Sequence, residues 1–284
     1  MSDGHKKVCV IAWPAGHSRS PLIHNYWIKQ HKLDAEYLRE AVPPEGLAGF
    51  IKGMRANGYV GANVTVPHKE AALAWSQPDD RARAVGAANT LWLDGVLRST
   101  NTDVEGFLHN LDACAPGWDR NGGTAVVLGA GGAARAVIYG LLERGMRRIV
   151  AINRTPRRAQ DLQKRFGTQI QTAAWDERDA SLTDASLLVN ATTLGMHGQP
   201  DLAIEIGHLP AAAIVADLVY VPLDTPLLRA ARARGLRTAD GIGMLLLQAV
   251  RGFLLWFGKK PEITNELKGL LERDLSVSPP RVQE

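Results

Sequence analysis

Short apolar, β-branched runs alternate along this chain with stretches of helical period, the pattern of an α/β sheet. Residues 7–12, 35–40 and 59–65 read as strands. Between them, Ser20 reads as an N-cap with Pro21 at N1, opening an amphipathic helix that uses Leu22, Tyr26 and Ile28. A second helix is expected over 45–56, ending near Gly58, and a short one after Pro67. Residues 89–93 and 96–97 flank Asp94-Gly95, a hairpin signal, and a helix is expected from Asp103.

The second half repeats the alternation more cleanly. Residues 124–128 form an apolar run, a helix follows with Ala133, Val137, Leu141 and Leu142 on one face, and residues 149–152 form the next run. That is one βαβ unit. Beyond it a helix to Phe166 is stopped by Gly167, strands are expected at 169–172, 186–190 and 214–219, and Thr225-Pro226 opens a helix closed by Gly235. An apolar helix over 241–257 and a charged one over about 261–273 follow, and the tail from Ser276 reads as disordered. These elements predict two α/β domains with boundaries near Asp103 and Asp240. The last helices return to the N-terminal domain and leave a cleft between the two, a preferred place for a ligand.

Gly129, Gly131 and Ala134 stand at the spacing G-x-G-x-x-A, between the strand and the helix of the βαβ unit. Gly129 suits the tight turn, Gly131 lets a pyrophosphate approach the backbone, and Ala134 allows close helix–strand packing. A glycine turn by itself is weak evidence, and the strand before and helix after it are what point to a dinucleotide. At the end of the second strand an NAD site usually carries a carboxylate for the ribose hydroxyl. Here the chain reads Asn153-Arg154-Thr155, followed by Arg157 and Arg158. Arginines beside a helix N-terminus are disfavoured unless an anion offsets them, and guanidinium groups pair with phosphate. The alternative is a solvated basic helix start with Thr155 as N-cap and Pro156 at N1. The reading favours NADP over NAD.

Composition narrows the class. The chain has 284 residues, 45% of them hydrophobic, and a net charge of +4. Its charges are scattered, which favours anionic small molecules over nucleic acid as partners. Cys9 and Cys114 form no metal spacing, His17 and His24 lack a ligand set, and no metal site is read. Two cysteines suit a reducing cytoplasm, and neither an export signal nor an 18-residue apolar run is present.

Several polar stretches can carry chemistry. In NVTVPHKE (63–70), Lys69 is expected in the first turn after Pro67, where a helix dipole disfavours the ammonium form and suits it to proton transfer. An exposed lysine is the alternative. Asp103, in STNTDVEGF (99–107), is either an N-cap or a contact for a substrate hydroxyl. Ser18 and Ser20, in HSRSP, can bind a carboxylate, although Ser20 can equally be a cap. NATTLGM (190–196) follows a strand of the second domain, at the edge where cofactors bind. Gln248 places an amide inside an apolar helix and needs partners, from a polar substrate or from backbone.

Nine of these stretches, in order, resemble the shikimate dehydrogenase family over nearly the whole chain: HSRSPLIHN, NVTVPHK, GAANT, NTD, GAGGAARA, NRT, NATTLGM, DLVYVP and DGIGMLLLQA. The resemblance implies a substrate-binding catalytic domain of residues 1–103 plus 240–284 and a Rossmann-like NADP-binding domain of residues 104–239. It implies reversible, NADP-dependent reduction of 3-dehydroshikimate to shikimate in aromatic amino acid biosynthesis, with Lys69 and Asp103 as the catalytic pair. By family match Ser18 and Ser20 hold the substrate carboxylate, and Thr65, Asn89, Tyr220 and Gln248 bind its hydroxyls and neighbouring groups. Gly129, Ala130, Gly131, Gly132 and Ala133 take the pyrophosphate, and Asn153, Arg154, Thr155 and Arg158 the adenosine phosphate end. Thr192, Leu218, Gly241 and Met244 lie near the ribose or nicotinamide, and Asp80 matches a further cofactor position that is also an ordinary helix start. A quinate or aminoshikimate paralogue, or a ligand-sensing relative without catalysis, are the other readings. A monomer and a homodimer fit equally. The chain departs from the family at Val104, where a glycine is common, with Glu105 after it, at Leu247, where a histidine often precedes the glutamine, and at Ala88, where valine is usual.

Overall fold

In the computed structural model, which describes residues 4–16 and 18–277, the chain divides into two units, Met1–Thr102 with Leu246–Glu284, and Asp103–Leu245. The first unit contains β1 (Lys6–Ala12), α1 (Ser20–Gln30), β2 (Ala35–Ala41), α2 (Leu47–Gly53), β3 (Tyr59–Val64), β4 (Gln77–Pro78), α3 (Asp80–Val85), β5 (Thr90–Asp94) and β6 (Val96–Thr100). Its sheet runs in the order β2-β1-β3-β5-β6-β4. The strands β2, β1 and β3 are parallel, whereas β5 is antiparallel to both β3 and β6. The central strand β1 is buried from Val8 to Ala12, with Cys9 fully inside, because a parallel strand covered on both faces has no polar side to present.

The second unit contains α4 (Asp103–Cys114), β7 (Thr124–Leu128), α5 (Gly132–Glu143), β8 (Arg148–Ile152), α6 (Pro156–Phe166), β9 (Ile170–Ala173), β10 (Ala185–Asn190), β11 (Ile214–Asp217), α7 (Pro226–Ala233) and β12 (Arg237–Ala239). All six strands are parallel, in the order β12-β11-β10-β7-β8-β9. This is the doubly wound Rossmann order, whose direction reverses between β7 and β10. The four inner strands β7, β8, β10 and β11 are mainly apolar for the same reason as β1, whereas the edge strands β9 (IQTA) and β12 (RTA) carry polar residues.

Two helices complete the chain, α8 (Gly241–Phe257) and α9 (Asn265–Val277). In the first unit Trp256 of α8 donates its Nε1–H to Leu91 O at 2.8 Å. The fit requires Gly61 beneath it, since a Cβ there would lie 2.1 Å from the indole nitrogen. Trp27 Nε1 of α1 likewise donates to Glu262 O at 2.8 Å. The helix α9 starts later than its charge pattern suggests, where Thr264 Oγ1 accepts from Leu267 N at 3.2 Å, and it continues to Val277. Ser276 and Val277 are therefore helical, and the rest of the expected disordered tail lies outside the described residues.

Three local expectations are corrected. The cap of α1 is Arg19, with no side-chain bond to the helix, and Ser20 is already helical and buried. The buried face runs through Ile23, His24, Trp27 and Ile28, while Leu22 and Tyr26 are only partly covered. The helix expected over 45–56 breaks into a 3-10 turn at Pro44–Gly46 and the short α2. No helix begins at Pro67: residues 66–70 form turns, and the next element is a 3-10 helix, Ala71–Trp75. The dipole invoked for Lys69 therefore has no helix behind it.

Candidate active site

One edge of the first sheet collects the polar stretches. Because β1 and β3 are parallel, the loops leaving Ala12 and Val64 emerge at the same edge, carrying Ser18 and Ser20 on one and Thr65 and Lys69 on the other. The pairing Asn63↔Thr90 brings the start of β5 to that edge, and Thr90↔Thr100 brings the end of β6 there too. Asn89, Asn101 and Thr102 follow. Lys69 is tied to this group through its backbone, whose carbonyl accepts from Ala88 N at 2.8 Å. Thr65 is held by its own N–H, which donates to Ile11 O at 3.0 Å.

A buried hydrogen-bond network orients the amides. Thr102 N donates to Asn89 Oδ1 at 2.7 Å, which fixes the Asn89 side chain, because a backbone N–H can only donate. Asn89 Nδ2 then donates to Thr102 Oγ1 at 3.0 Å and to Gln248 Oε1 at 3.3 Å, while Thr102 Oγ1 donates to the same Gln248 oxygen at 3.2 Å. Two side chains thus donate to the Gln248 amide oxygen, where backbone or a substrate was expected. Beneath this layer Asn63 Nδ2 donates to Asn89 O and Thr90 Oγ1, both at 3.2 Å, and Tyr37 OH donates to Asn63 Oδ1 at 2.7 Å. Asn63 and Thr90 were not singled out from the sequence. Their signal was an alternation of polar residues inside otherwise apolar strands, and only register showed that they meet. Satisfied networks of this kind hold side chains in one orientation.

Ser18 precedes α1 and Ser20 is its first residue, with Ser20 N donating to Ser18 Oγ at 3.3 Å. Arg19 between them is 5% exposed and pairs with Asp274 of α9, Nε to Oδ2, at 2.5 Å. His24 is a core ring stacked on Tyr37 at 4.5 Å, and burial lowers its pKa to about 3. His17 lies outside the described residues. Asp80 starts α3 in an exposed position, paired with Arg83 at 3.2 Å, and the cap there is Asp79. Ala88 is fully buried.

In the second unit Asp103 is the first residue of α4 and only 5% exposed. Val104 is fully buried, so the departure from glycine is spent on packing. Tyr220 follows β11 and is partly buried, and Met244 lies buried in the first turns of α8.

The reversal between β7 and β10 forms a cleft of about 130 Å³, lined by Gly129, Ala130, Gly131, Asn153, Arg154, Trp175 and residues 191–194. Gly129 has φ +107, and a Cβ on it would come within 2.9 Å of Ala191 O. Its lack of a side chain serves the fold. Gly131 differs: its backbone is extended at φ −88 and ψ −171, and nothing lies within 4 Å of where a Cβ would sit. The space it leaves belongs to the cleft, directly before the N-terminus of α5 with Gly132 and Ala133 in its first turn. A phosphate fits such a cradle. Asn153 is braced by its Nδ2 on Thr155 O at 3.0 Å. Arg154, Thr155 and Arg158 are exposed, Thr155 makes no side-chain cap, and no acidic residue stands in the first turn of α6. Gly241 is required by close approach, since a Cβ would lie 2.4 Å from Leu218 O.

Asp217, at the end of β11, braces the far wall. It accepts from Asn190 Nδ2 at 2.9 Å, Val219 N at 3.0 Å and Thr225 Oγ1 at 2.7 Å. Asn190 Oδ1 in turn accepts from Thr192 Oγ1 at 2.7 Å. Burial raises the pKa of Asp217 to about 6, against the pull of its three donors. A carboxyl whose folded pKa lies above its unfolded value binds its proton more tightly when folded, so its contribution to stability falls as pH rises from about 4 to 6. The difference between about 6 and the ordinary 3.8 corresponds to about 3 kcal/mol. Urea titrations between pH 4.5 and 8 should show wild type losing stability relative to Asp217→Asn, which cannot ionise. Parallel pH dependence in both proteins would refute the assignment.

A doubly wound sheet with an empty-Cβ glycine at its reversal point, joined to a mixed sheet with a polar edge, defines a two-unit dinucleotide-binding protein. Residues 10–91 match the family model described as shikimate dehydrogenase substrate binding domain, and residues 117–197 match that of shikimate / quinate 5-dehydrogenase. The chain is 63% identical over 275 residues to the shikimate dehydrogenase (NADP(+)) of Rhodopseudomonas palustris strain HaA2, covering 96% of this chain and 98% of that one. Among solved structures, shikimate 5-dehydrogenase from Thermus thermophilus in complex with NADP(H) and shikimate matches at TM-score 0.80 and 35% identity, covering 95% and 98% of the two chains. Quinate dehydrogenase from Corynebacterium glutamicum in complex with NAD matches at TM-score 0.84 and 29% identity, covering 94% and 98%. The chain belongs to the shikimate dehydrogenase family. Among the described residues no helix is long and apolar enough to cross a membrane.

Proposed function

We propose that this chain catalyses the reversible, NADP-dependent reduction of 3-dehydroshikimate to shikimate, in the cytoplasm, as a step towards aromatic amino acids. The observation that carries the reading is the meeting of Ser18, Thr65, Lys69, Asn89 and Gln248 at one sheet edge, in a chain 63% identical to a shikimate dehydrogenase (NADP(+)). NADP supplies the hydride acceptor or donor. In the oxidising direction Lys69 Nζ accepts the proton of the hydroxyl that becomes a ketone, and Asp103 hydrogen-bonds and orients the same region. Ser18 and Ser20 receive the carboxylate by hydroxyl donation, and Thr65, Asn89, Tyr220 and Gln248 hold the remaining hydroxyls. The preset orientation of Asn89 by Thr102 lowers the cost of ordering these groups when substrate arrives. Gly129 to Ala133 hold the pyrophosphate, and Asn153, Arg154, Thr155 and Arg158 the 2′-phosphate. Thr192, Leu218, Gly241 and Met244 line the nicotinamide end, and Asp80 has the weakest case for a cofactor contact, being exposed and ion-paired.

The test is initial rates with shikimate and with quinate, each with NADP and NAD. Turnover fastest with shikimate and NADP is expected. Preference for quinate would replace the substrate assignment, and no turnover with any pair would end the enzyme reading. Arg154→Ser is expected to raise the KM for NADP between about tenfold and a hundredfold, the loss of a charged hydrogen bond, with the KM for NAD unchanged. Equal effects on both cofactors would remove Arg154 from the 2′-phosphate.

A further inference from the structure

The cleft wall contains one aromatic side chain that neither the glycine turn nor the basic segment explains. Trp175 opens a 3-10 turn (Trp175–Glu177) two residues beyond the end of β9. It is half-buried and packs against the core of the second unit. It also lines the cleft together with Asn153 and Arg154. The turn that presents it is closed in both directions, with Glu177 Oε2 accepting from Ala174 N at 2.8 Å and Ala174 O accepting from Glu177 N at 3.1 Å. Arg178 stands over the indole at 5.4 Å. Its guanidinium is fixed by donation to Trp175 O at 2.8 Å and Ala203 O at 2.7 Å. The ring is therefore held in place before any ligand binds.

Strand order assigns what it can meet. Gly131 follows β7, Arg154 follows the neighbouring β8, and Trp175 follows β9, the next strand out. Two strand spacings, about 10 Å, separate the phosphate cradle from the indole, with the arginine of the 2′-phosphate between them. That is the sequence of groups in the adenosine half of NADP: pyrophosphate, ribose phosphate, base. A purine needs a flat polarisable surface, and tryptophan provides the largest one. We propose that Trp175, backed by Arg178, is the stacking platform for the adenine of the cofactor. The proposal rests on the reading of this cleft as an NADP site.

It is tested on the full chain without substrate, by calorimetric titration with 2′,5′-ADP, which carries the base and the 2′-phosphate but no nicotinamide. Trp175→Leu keeps apolar volume and removes the π face, whereas Trp175→Phe keeps a smaller one. Affinity is expected to fall about tenfold in the leucine variant and by less than about threefold with phenylalanine. Turnover with reduced nicotinamide mononucleotide, which has no adenine, should be the same in all three proteins. Equal affinity of the leucine and phenylalanine variants, or a loss of mononucleotide turnover alongside, would overturn the platform. No binding of 2′,5′-ADP by wild type would overturn the NADP reading itself and the platform with it.

Discussion

Replacing Lys69 by alanine is expected to lower kcat for shikimate oxidation between about a hundredfold and ten-thousandfold, the usual contribution of a positioned proton-transfer group. The fold should survive, because what anchors this turn is main chain: the Lys69 carbonyl accepts from Ala88 N at 2.8 Å, and His68 N donates to Thr65 O at 2.8 Å. Neither bond involves the amine. The effect should therefore fall on kcat, with KM for shikimate changed by only a few-fold, since the proposed substrate-binding residues Ser18, Ser20, Asn89 and Gln248 are retained. Steady-state kinetics beside a thermal melt make the check. Unchanged turnover in a folded Lys69→Ala protein would remove the lysine from the chemistry. Asp103→Asn keeps the shape and the helix-start position and should lose activity by a smaller factor.

The two glycines of the cofactor turn should fail in opposite ways when each becomes alanine. At Gly129 the new Cβ meets Ala191 O at 2.9 Å, and φ is +107. Backbone strain and overpacking together should cost about 3 kcal/mol of stability. At Gly131 the backbone is ordinary and the space is open. Alanine there should leave stability within about 0.5 kcal/mol of wild type, and it can even gain slightly by restricting the unfolded chain. The methyl group instead occupies the cradle before α5, so affinity for NADP should drop at least about tenfold. Denaturant titration and calorimetric binding of NADP on both variants separate the two losses. A Gly131→Ala protein that binds NADP as wild type does would show that the phosphate lies elsewhere.

The pattern of residues exposed much of this in advance, though unevenly. The inner parallel strands of the second unit, β7, β8, β10 and β11, were readable because burial on both faces makes them largely apolar. β4 and β12 were not, because two and three residues are too few to display a period, and of the six-residue α3 only its start at Asp80 was read. The helix expected at Pro67 shows the limit of local signals: a proline that suits N1 of a helix suits a turn equally well, and here the turns extend to residue 70. Trp175 gave no motif at all. An isolated tryptophan in a loop is usually a fragment of core, and this one does pack against it.

The motif residues themselves were named from sequence, but their meeting was not. Local chemistry determined that Gly129 turns, that Gly131 can be bare, that no carboxylate stands at Asn153-Arg154-Thr155, and that Lys69 and Asp103 each follow a strand. These follow from the residues and their near neighbours. Only the tertiary structure decided that the ends of β1, β3 and β6 share an edge with the start of β5, since that depends on which strands are parallel and in what register. Only it supplied Gln248 with partners, one of them 159 residues away. A chain records the preferences of each segment, whereas the pairing of distant polar groups is set by the packing that leaves them no other partner.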